Sequence, residues 1–369
     1  MQRIPAKVGD RVDAIETPAL AVDLDAFERN LDRMAEATRD IRLRPHAKAH
    51  KCVAIARAQL DRGAVGVCCQ KTDEAAAFVE AGVRDVLVTN EVVDLPKLAR
   101  LAELARAARI GVLVDALPCV AALSRAAVGA GARVDVYVEI DVGAHRCGVA
   151  PGAPAVDLAR AICSAPALHF RGLHAYHGGA QHLREPAARR EAIASAVVAA
   201  RTTRGLIDEA GIACEIVTGA GTGTWALERD SRVYNELQPG SYVFMDVDYG
   251  RNATDPTDIR FEQSLYVLAA VMSVPAQGRA IVDAGLKAFS FDSGLPLVQG
   301  RDGATYAKAS DEHGVLDVAA DGAPMALGER VRLVPGHCDP TVNLYDWIVA
   351  LRGERVEAVW PIEARGALG

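Results

Sequence analysis

The sequence has no cationic excess: 41 Lys and Arg stand against 48 Asp and Glu, a formal net charge of −7. A chain that neutralises a phosphodiester backbone carries surplus positive charge, so nucleic acid is not an expected partner. Paired cysteines are also missing. None of the eight (Cys52, Cys68, Cys69, Cys119, Cys147, Cys163, Cys214, Cys338) stands in a CxxC spacing. Most lie in apolar runs such as Val67-Cys68-Cys69, where a thiol behaves as a small hydrophobe, and a reducing, cytoplasmic setting is expected. Residues 1–17 are charged and hold no continuous apolar run, so neither a secretory signal nor a membrane anchor is expected there. What the chain does have is apolar bulk. With 369 residues and 50% hydrophobic content it can bury a large core.

That bulk is arranged as a strand-then-helix rhythm, which predicts parallel strands joined by crossover helices. Candidate strands are 42–47, 64–69, 85–89, 111–115, 134–141, 168–176, 214–218 and 237–244. Alanine-rich helical stretches lie between them, for example 72–81 stopped by Gly82 and 186–210 stopped by Gly211. Eight such units predict a (β/α)8 TIM-type barrel over residues 25–250, with its chemistry at the C-terminal ends of the strands. From about residue 260 the pattern changes to short β-rich runs (264–271, 279–283, 330–334, 347–351) divided by Gly, Pro and Asp turns. We expect a C-terminal β domain built from 251–369 together with 1–24. The early strand 19–24 fits either unit, and the helix after it is expected to open at Asp25 with Glu28 completing a capping box.

Polar residues at the predicted strand ends are the candidate functional groups. Arg44-Pro45-His46-Ala47-Lys48-Ala49-His50-Lys51 closes the first barrel strand, and a lysine there projects into the barrel mouth. An apolar mouth lowers a lysine pKa and makes the amine nucleophilic enough for a Schiff base; a basic, solvated loop is the alternative. Arg146 ends the fifth strand, where a guanidinium can donate to a phenolate or carboxylate through its planar fork, or pair with a surface acid. The sixth strand ends with three histidines in nine positions (His174, His177, His182), and alternation places His174 and Tyr176 on one side. The seventh runs into Thr218-Gly219-Ala220-Gly221-Thr222-Gly223-Thr224-Trp225, whose glycines free backbone N–H groups for an anion at the place where barrels of this kind bind phosphate. In the β-rich part, an extended Pro335-Gly336-His337-Cys338-Asp339 would face His337 and Asp339 the same way, so that an imidazole and a carboxylate share an ion. The alternative is a turn in which Asp339 caps the loop before Pro340.

The strings RPHAKAHK, EIDVGAHRCGV, AYHGGAQH, GAGTGTW, ELQPGSYVFMD, VDAGLKAFSFDSGLP and PGHCDPTVNLYD occur in this order along nearly the whole chain. They resemble the D-threonine aldolase and D-serine dehydratase family, whose fold is similar to that of alanine racemase, a barrel plus a β domain (fold type III). The resemblance implies pyridoxal 5'-phosphate covalently held by Lys48, with Arg146 and Tyr176 near its ring or the substrate. It further implies Thr218, Gly219, Gly221, Thr222 and Tyr242 around the phosphate, Gln238 near the ring nitrogen, and a divalent metal on His337 and Asp339. His182 would stand beside the substrate hydroxyl.

The implied reaction is retro-aldol cleavage of a small β-hydroxy D-amino acid to glycine and an aldehyde. In the dehydratase branch the resemblance implies a His-x-Cys zinc pair; here Asp339 stands two residues after His337, a harder ligand suited to Mn²⁺ or Mg²⁺, with Zn²⁺ as the alternative. Cys338 leaves a D-serine or 3-hydroxyaspartate dehydratase as the second reading. A racemase is more distant, because Gln238 stands where the barrel racemases carry an Arg and no counterpart of their catalytic tyrosine motif is present. A non-catalytic pyridoxal-phosphate carrier would have no use for the β domain. Fold type III further implies a homodimer in which Ser310-Asp311-Glu312-His313 approaches a shared site.

Overall fold

Apolar runs of two kinds condense into two sheets, one parallel and one mostly antiparallel. The computed structural model describes residues 2–255 and 258–369; Met1, Pro256 and Thr257 of the expected β-rich segments lie outside the described residues. Strand β1 (Ala19–Asp23) is followed by β2 (Arg42–Leu43), β3 (Val67–Cys69), β4 (Asp85–Glu91) and β5 (Arg109–Val114). Then come β6 (Val134–Glu139), β7 (Leu168–Ala175), β8 (Ile216–Gly219) and β9 (Glu236–Leu237). Strands β2 to β9 form one parallel sheet in the order β2-β9-β8-β7-β6-β5-β4-β3. Its edges meet: Val65 N–H donates to Leu43 O and Cys68 N–H to Pro45 O, both at 2.8 Å, and His46 bridges to Cys68. With crossover helices such as Thr72–Glu80 and Pro186–Glu209 between the strands, this is the expected eight-stranded barrel.

Strands β2 and β9 are far shorter than their apolar patterns predict. Pro45 and Pro239 lack the N–H that a continuing ladder needs, and the chain winds instead into 3-10 turns at Ala47–Ala49 and Ser241–Val243. Those turns put Lys48 and Ser241 at the barrel mouth. The first helix, Leu24–Ala37, starts earlier than expected. Asp23, still extended, caps it by accepting from the Ala26 N–H at 3.0 Å, and Glu28 pairs with Arg352 rather than closing a capping box at Asp25.

The second sheet comprises β10 (Leu265–Ala276), β11 (Arg279–Val282), β12 (Leu297–Gln299), β13 (Ala304–Ala309), β14 (Gly314–Val318), β15 (Arg330–Val334), β16 (Trp347–Arg352) and β17 (Arg355–Pro361). Strand β1 completes it, antiparallel to β10 and parallel to β16. Its burial on both faces explains why 19–24 reads as a strand of either unit.

Inside the barrel, the fully buried Glu236 carboxylate accepts from Arg44 Nε at 3.0 Å, while Arg44 Nη1 donates to Asp85 at 2.6 Å. The Glu236 carboxylate needs a cationic partner, because a buried charge without one is costly, whereas Asp85 keeps some contact with solvent. Arg44→Met keeps the length and removes the charge. We expect it to lower stability by about 3 to 5 kcal/mol in urea unfolding, the range for breaking one side of a buried pair. A loss within error of zero would show that Arg42, 3.1 Å from Glu236, suffices.

Candidate active site

Lys48 leaves the mouth-facing turn after β2, and its Nζ donates to Asp339 Oδ2 at 2.7 Å. The sequence reading expects an apolar mouth that lowers the lysine pKa. The structure reverses this, because the Asp339 carboxylate raises it and outweighs burial. For Asp339 burial works against the charge, but Lys48 and His337 hold the carboxyl well below its usual range. Asp339 is not on an extended strand. The chain leaves β15 at Val334 and starts a short helix, Cys338–Val342, with His337 as its N-cap residue. The two side chains therefore diverge instead of sharing a strand face: the His337 ring bonds through Nδ1 to Asp292 at 2.7 Å, while Asp339 turns to Lys48. Cys338 is fully buried between them. Burial, together with Asp246 and Asp339, pushes its thiol pKa well up, and its Sγ lies 3.3 Å from Asp339 Oδ1.

Lys48 opens into a cavity at the C-terminal ends of the barrel strands. Of the sequence candidates, Arg146, Tyr176, Gly221, Thr222 and Gln238 line it with Lys48. The Arg146 guanidinium lies 5.7 Å from the Tyr176 ring centroid and 3.7 Å from Glu139. Gln238 is held at both ends, accepting from His174 Nε2 at 3.2 Å and donating to Thr218 Oγ1 at 2.7 Å. Thr218, Gly219 and Tyr242 lie behind the cavity wall. Gly219 is glycine because a Cβ would stand 2.4 Å from Ala175 O, and the buried Tyr242 hydroxyl accepts from Gln59 at 3.1 Å. His182, half exposed, adjoins the cavity through Tyr249. Its ring stacks on Tyr249, a lining residue, with centroids 5.6 Å apart, and its Nδ1 is bonded to Asp248. For Asp248, burial again opposes the charge, and Arg184 and His182 outweigh it and lower the pKa.

Sequence reasoning missed part of the wall: His46, Gln70, Thr89, Ser241 and Tyr249. His46 carried a signal, two residues before Lys48 on the same turn. Burial and the neighbouring Lys48 depress its pKa well below the ordinary histidine value, so it is neutral and bonded to Thr89 Oγ1 at 2.8 Å. Tyr249 carries no pattern that separates it from a core aromatic.

The residues that converge on Lys48 lie on both sheets, and the comparisons divide the same way. Residues 22–248 match the family described as alanine racemase, N-terminal domain, and residues 264–351 match the putative serine dehydratase domain. A D-threonine aldolase from Arthrobacter sp. is 49% identical over 364 residues, which covers 98% of this chain and 96% of that protein. This chain belongs to the D-threonine aldolase and D-serine dehydratase family. A 3-hydroxy-D-aspartate aldolase from Paracoccus denitrificans (strain Pd 1222) is 45% identical over 372 residues, 98% of this chain and 95% of that one. The solved D-threonine aldolase from Filomicrobium marinum superposes with a TM-score of 0.97 at 48% identity, covering 99% of this chain and 100% of that chain.

The family's cofactor is pyridoxal phosphate, and the cavity residues fit it. A primary amine enters from one side. Opposite, the loop after β8 presents the Thr222 hydroxyl, buried and without a hydrogen-bond partner among the described residues. Beside it Ala220 has φ +72°, and Gly221 leaves no room for a side chain, since a Cβ would stand 2.5 Å from Gln181 Oε1. An unsatisfied hydroxyl on a tight, glycine-bearing loop is a phosphate cradle in form.

Borohydride treatment of the purified protein with its cofactor should fix a pyridoxyl group on Lys48, identified by peptide mass spectrometry. Lys51 should carry none, because its Nζ is buried against Glu74 at 2.7 Å. An adduct on Lys51 would show that the wrong lysine has been assigned.

Proposed function

We propose that this protein is a pyridoxal-phosphate-dependent lyase that cleaves β-hydroxy D-amino acids such as D-threonine to glycine and an aldehyde. The observation that carries the reading is the group facing Lys48: a carboxylate, Asp339, 2.7 Å from the amine. A thiolate there would favour dehydration through zinc; an oxygen donor favours a harder ion. The identity to a D-threonine aldolase and to a 3-hydroxy-D-aspartate aldolase supports the same class of substrate.

Pyridoxal phosphate, when bound, supplies an electron sink for the pair left at Cα by bond cleavage. The chain's own residues do the rest. Lys48 holds the cofactor, Gly221 and Thr222 receive its phosphate, and Gln238, fixed by His174 and Thr218, bounds the far side of the cavity. Arg146, half exposed at the mouth, is placed to donate to a substrate carboxylate through its fork. His182 accepts the β-hydroxyl proton as the Cα–Cβ bond breaks.

We assign a divalent metal, Mn²⁺ or Mg²⁺ ahead of Zn²⁺, to His337 and Asp339, where it would acidify a coordinated β-hydroxyl. No group of three or more His, Cys, Asp or Glu is arranged to hold an ion among the described residues, so the protein supplies two ligands and the remaining sites fall to water or substrate. The donor chemistry fits, one imidazole nitrogen and one ionised carboxylate. Eight free cysteines favour a cytoplasmic setting. No helix among the described residues is long and apolar enough to cross a membrane. We further propose a homodimer whose second subunit covers the open mouth near Arg146 and brings its exposed Ser310–His313 turn to the site.

Incubation with D-threonine tests the reaction class. Glycine plus acetaldehyde is the expected outcome; a 2-oxoacid plus ammonia would move the protein to the dehydratase branch. Exhaustive chelation should stop cleavage without releasing the pyridoxal absorbance, and Mn²⁺ or Mg²⁺ should restore it. Full activity in enzyme that elemental analysis finds metal-free would remove the metal from the reading. His182→Ala should lower kcat by about 10²- to 10⁴-fold while leaving cofactor content unchanged, the usual range for a lost general base.

A further inference from the structure

A histidine at a cavity rim is a base only if the nitrogen facing the substrate has a free lone pair. In His182 that choice is made by a neighbour. Nδ1 is bonded to Asp248 Oδ2, and the other carboxylate oxygen, Oδ1, is taken by Arg184 Nη2. A carboxylate can only accept, so the Nδ1 bond requires a proton on Nδ1 and leaves Nε2 as the lone-pair nitrogen. The acid is itself clamped. Arg184 Nη1 donates to Asp248 O at 2.6 Å and to Asn252 Oδ1 at 2.7 Å, and Ala253 N–H donates back to Arg184 O at 3.0 Å. The Asp248 backbone N–H donates to Gly336 O at 3.1 Å, one residue before His337. The Tyr249 ring packs against the imidazole, tilted by 35° at a centroid distance of 5.6 Å.

We infer that Asp248 is the positioning residue of His182: clamped by Arg184, it selects the Nδ1–H tautomer and aims Nε2 at the substrate hydroxyl. The inference rests on the reading of His182 as proton acceptor and extends it to a three-residue relay, Arg184–Asp248–His182. No proton passes to Asp248. It orients the ring and stabilises the imidazolium formed when Nε2 takes the hydroxyl proton, as the acid of a hydrolytic triad does.

The consequence is sharpest for Asp248→Asn. With Arg184 holding the one carbonyl oxygen, the amide NH₂ faces Nδ1 and forces the proton onto Nε2, the wrong tautomer. In the holoenzyme with D-threonine we expect kcat to fall by about 10²- to 10⁴-fold. KM should stay within a few-fold, because Asp248 does not bind substrate. The loss must run through His182, so the same substitution in a His182→Ala background should cost nothing further. An equal loss in that background would make Asp248 a structural residue and overturn the inference. Wild-type kcat in Asp248→Asn, with His182→Ala crippled, would overturn it while leaving His182 as the base. Full activity of His182→Ala would instead remove the reading on which it rests. Nitrogen NMR of the unmutated enzyme gives a readout independent of turnover. The neutral His182 ring, assigned by its absence in His182→Ala, should carry its proton on Nδ1, and a proton on Nε2 would refute the inference even if Asp248→Asn failed to fold.

Discussion

The contact on which the site depends is the 2.7 Å ion pair between Lys48 and Asp339, 291 residues apart in the chain. It joins a turn at the top of the barrel to the first turn of the helix that follows β15, so the two sheets meet through opposite charges at the cavity. Neither charge stands alone comfortably. Asp339 is a carboxylate opposed by burial, and Lys48 is held in the charged form by it. Around them the supporting groups are arranged by hydrogen bonds that leave little freedom, with Ser241 Oγ 3.3 Å from Asp339 and His46 locked to Thr89. The same carboxylate is our candidate metal ligand, so ammonium and metal ion draw on one donor.

Position in the barrel explains the division of labour. Proline ends strands β2 and β9 early, and the residues after each proline coil over the mouth as 3-10 turns. One turn carries the amine and the other carries Ser241. The loop after β8, where the backbone takes a positive φ at Ala220, carries the unsatisfied Thr222 hydroxyl. Short strands and tight turns thus build the cavity wall, while the helix after β15 supplies the carboxylate that meets Lys48.

Much of the barrel was legible because its signals are local. The valine-rich run of β6, the alternation into β7 and the long helix ending before Gly211 follow from periodicity and stop signals alone. Lys48, Arg146, Tyr176 and the Gly221–Thr222 loop were found because barrel strand ends are where chemistry sits. What escaped was long-range. Extended geometry for His337 and Asp339 was the natural reading after a strand, yet Cys338 opens a helix and sends the two side chains to different partners. Thr218 and Tyr242 belong to strings that resemble a cofactor site, and their hydroxyls accept from Gln238 and Gln59, contacts that no local pattern announces. Asp248 and Tyr249 carry no motif, and their importance appears only once His182 has folded against them.

Strand β1 lies between β10 and β16 in the second sheet, although it precedes every strand of the barrel. Its partners are Leu265 to Leu268 on one side and Val349 to Leu351 on the other. Closing such loops is entropically expensive and slow, so the central strand of this sheet is the earliest to leave the ribosome and among the last to be paired. Until β16 is made, β1 can pair with β10 on one side while its other side stays an open apolar edge. A chain halted before residue 339 would carry Lys48 on a barrel whose opposing carboxylate had not yet been made, so the two halves of the ion pair are separated in synthesis as well as in sequence.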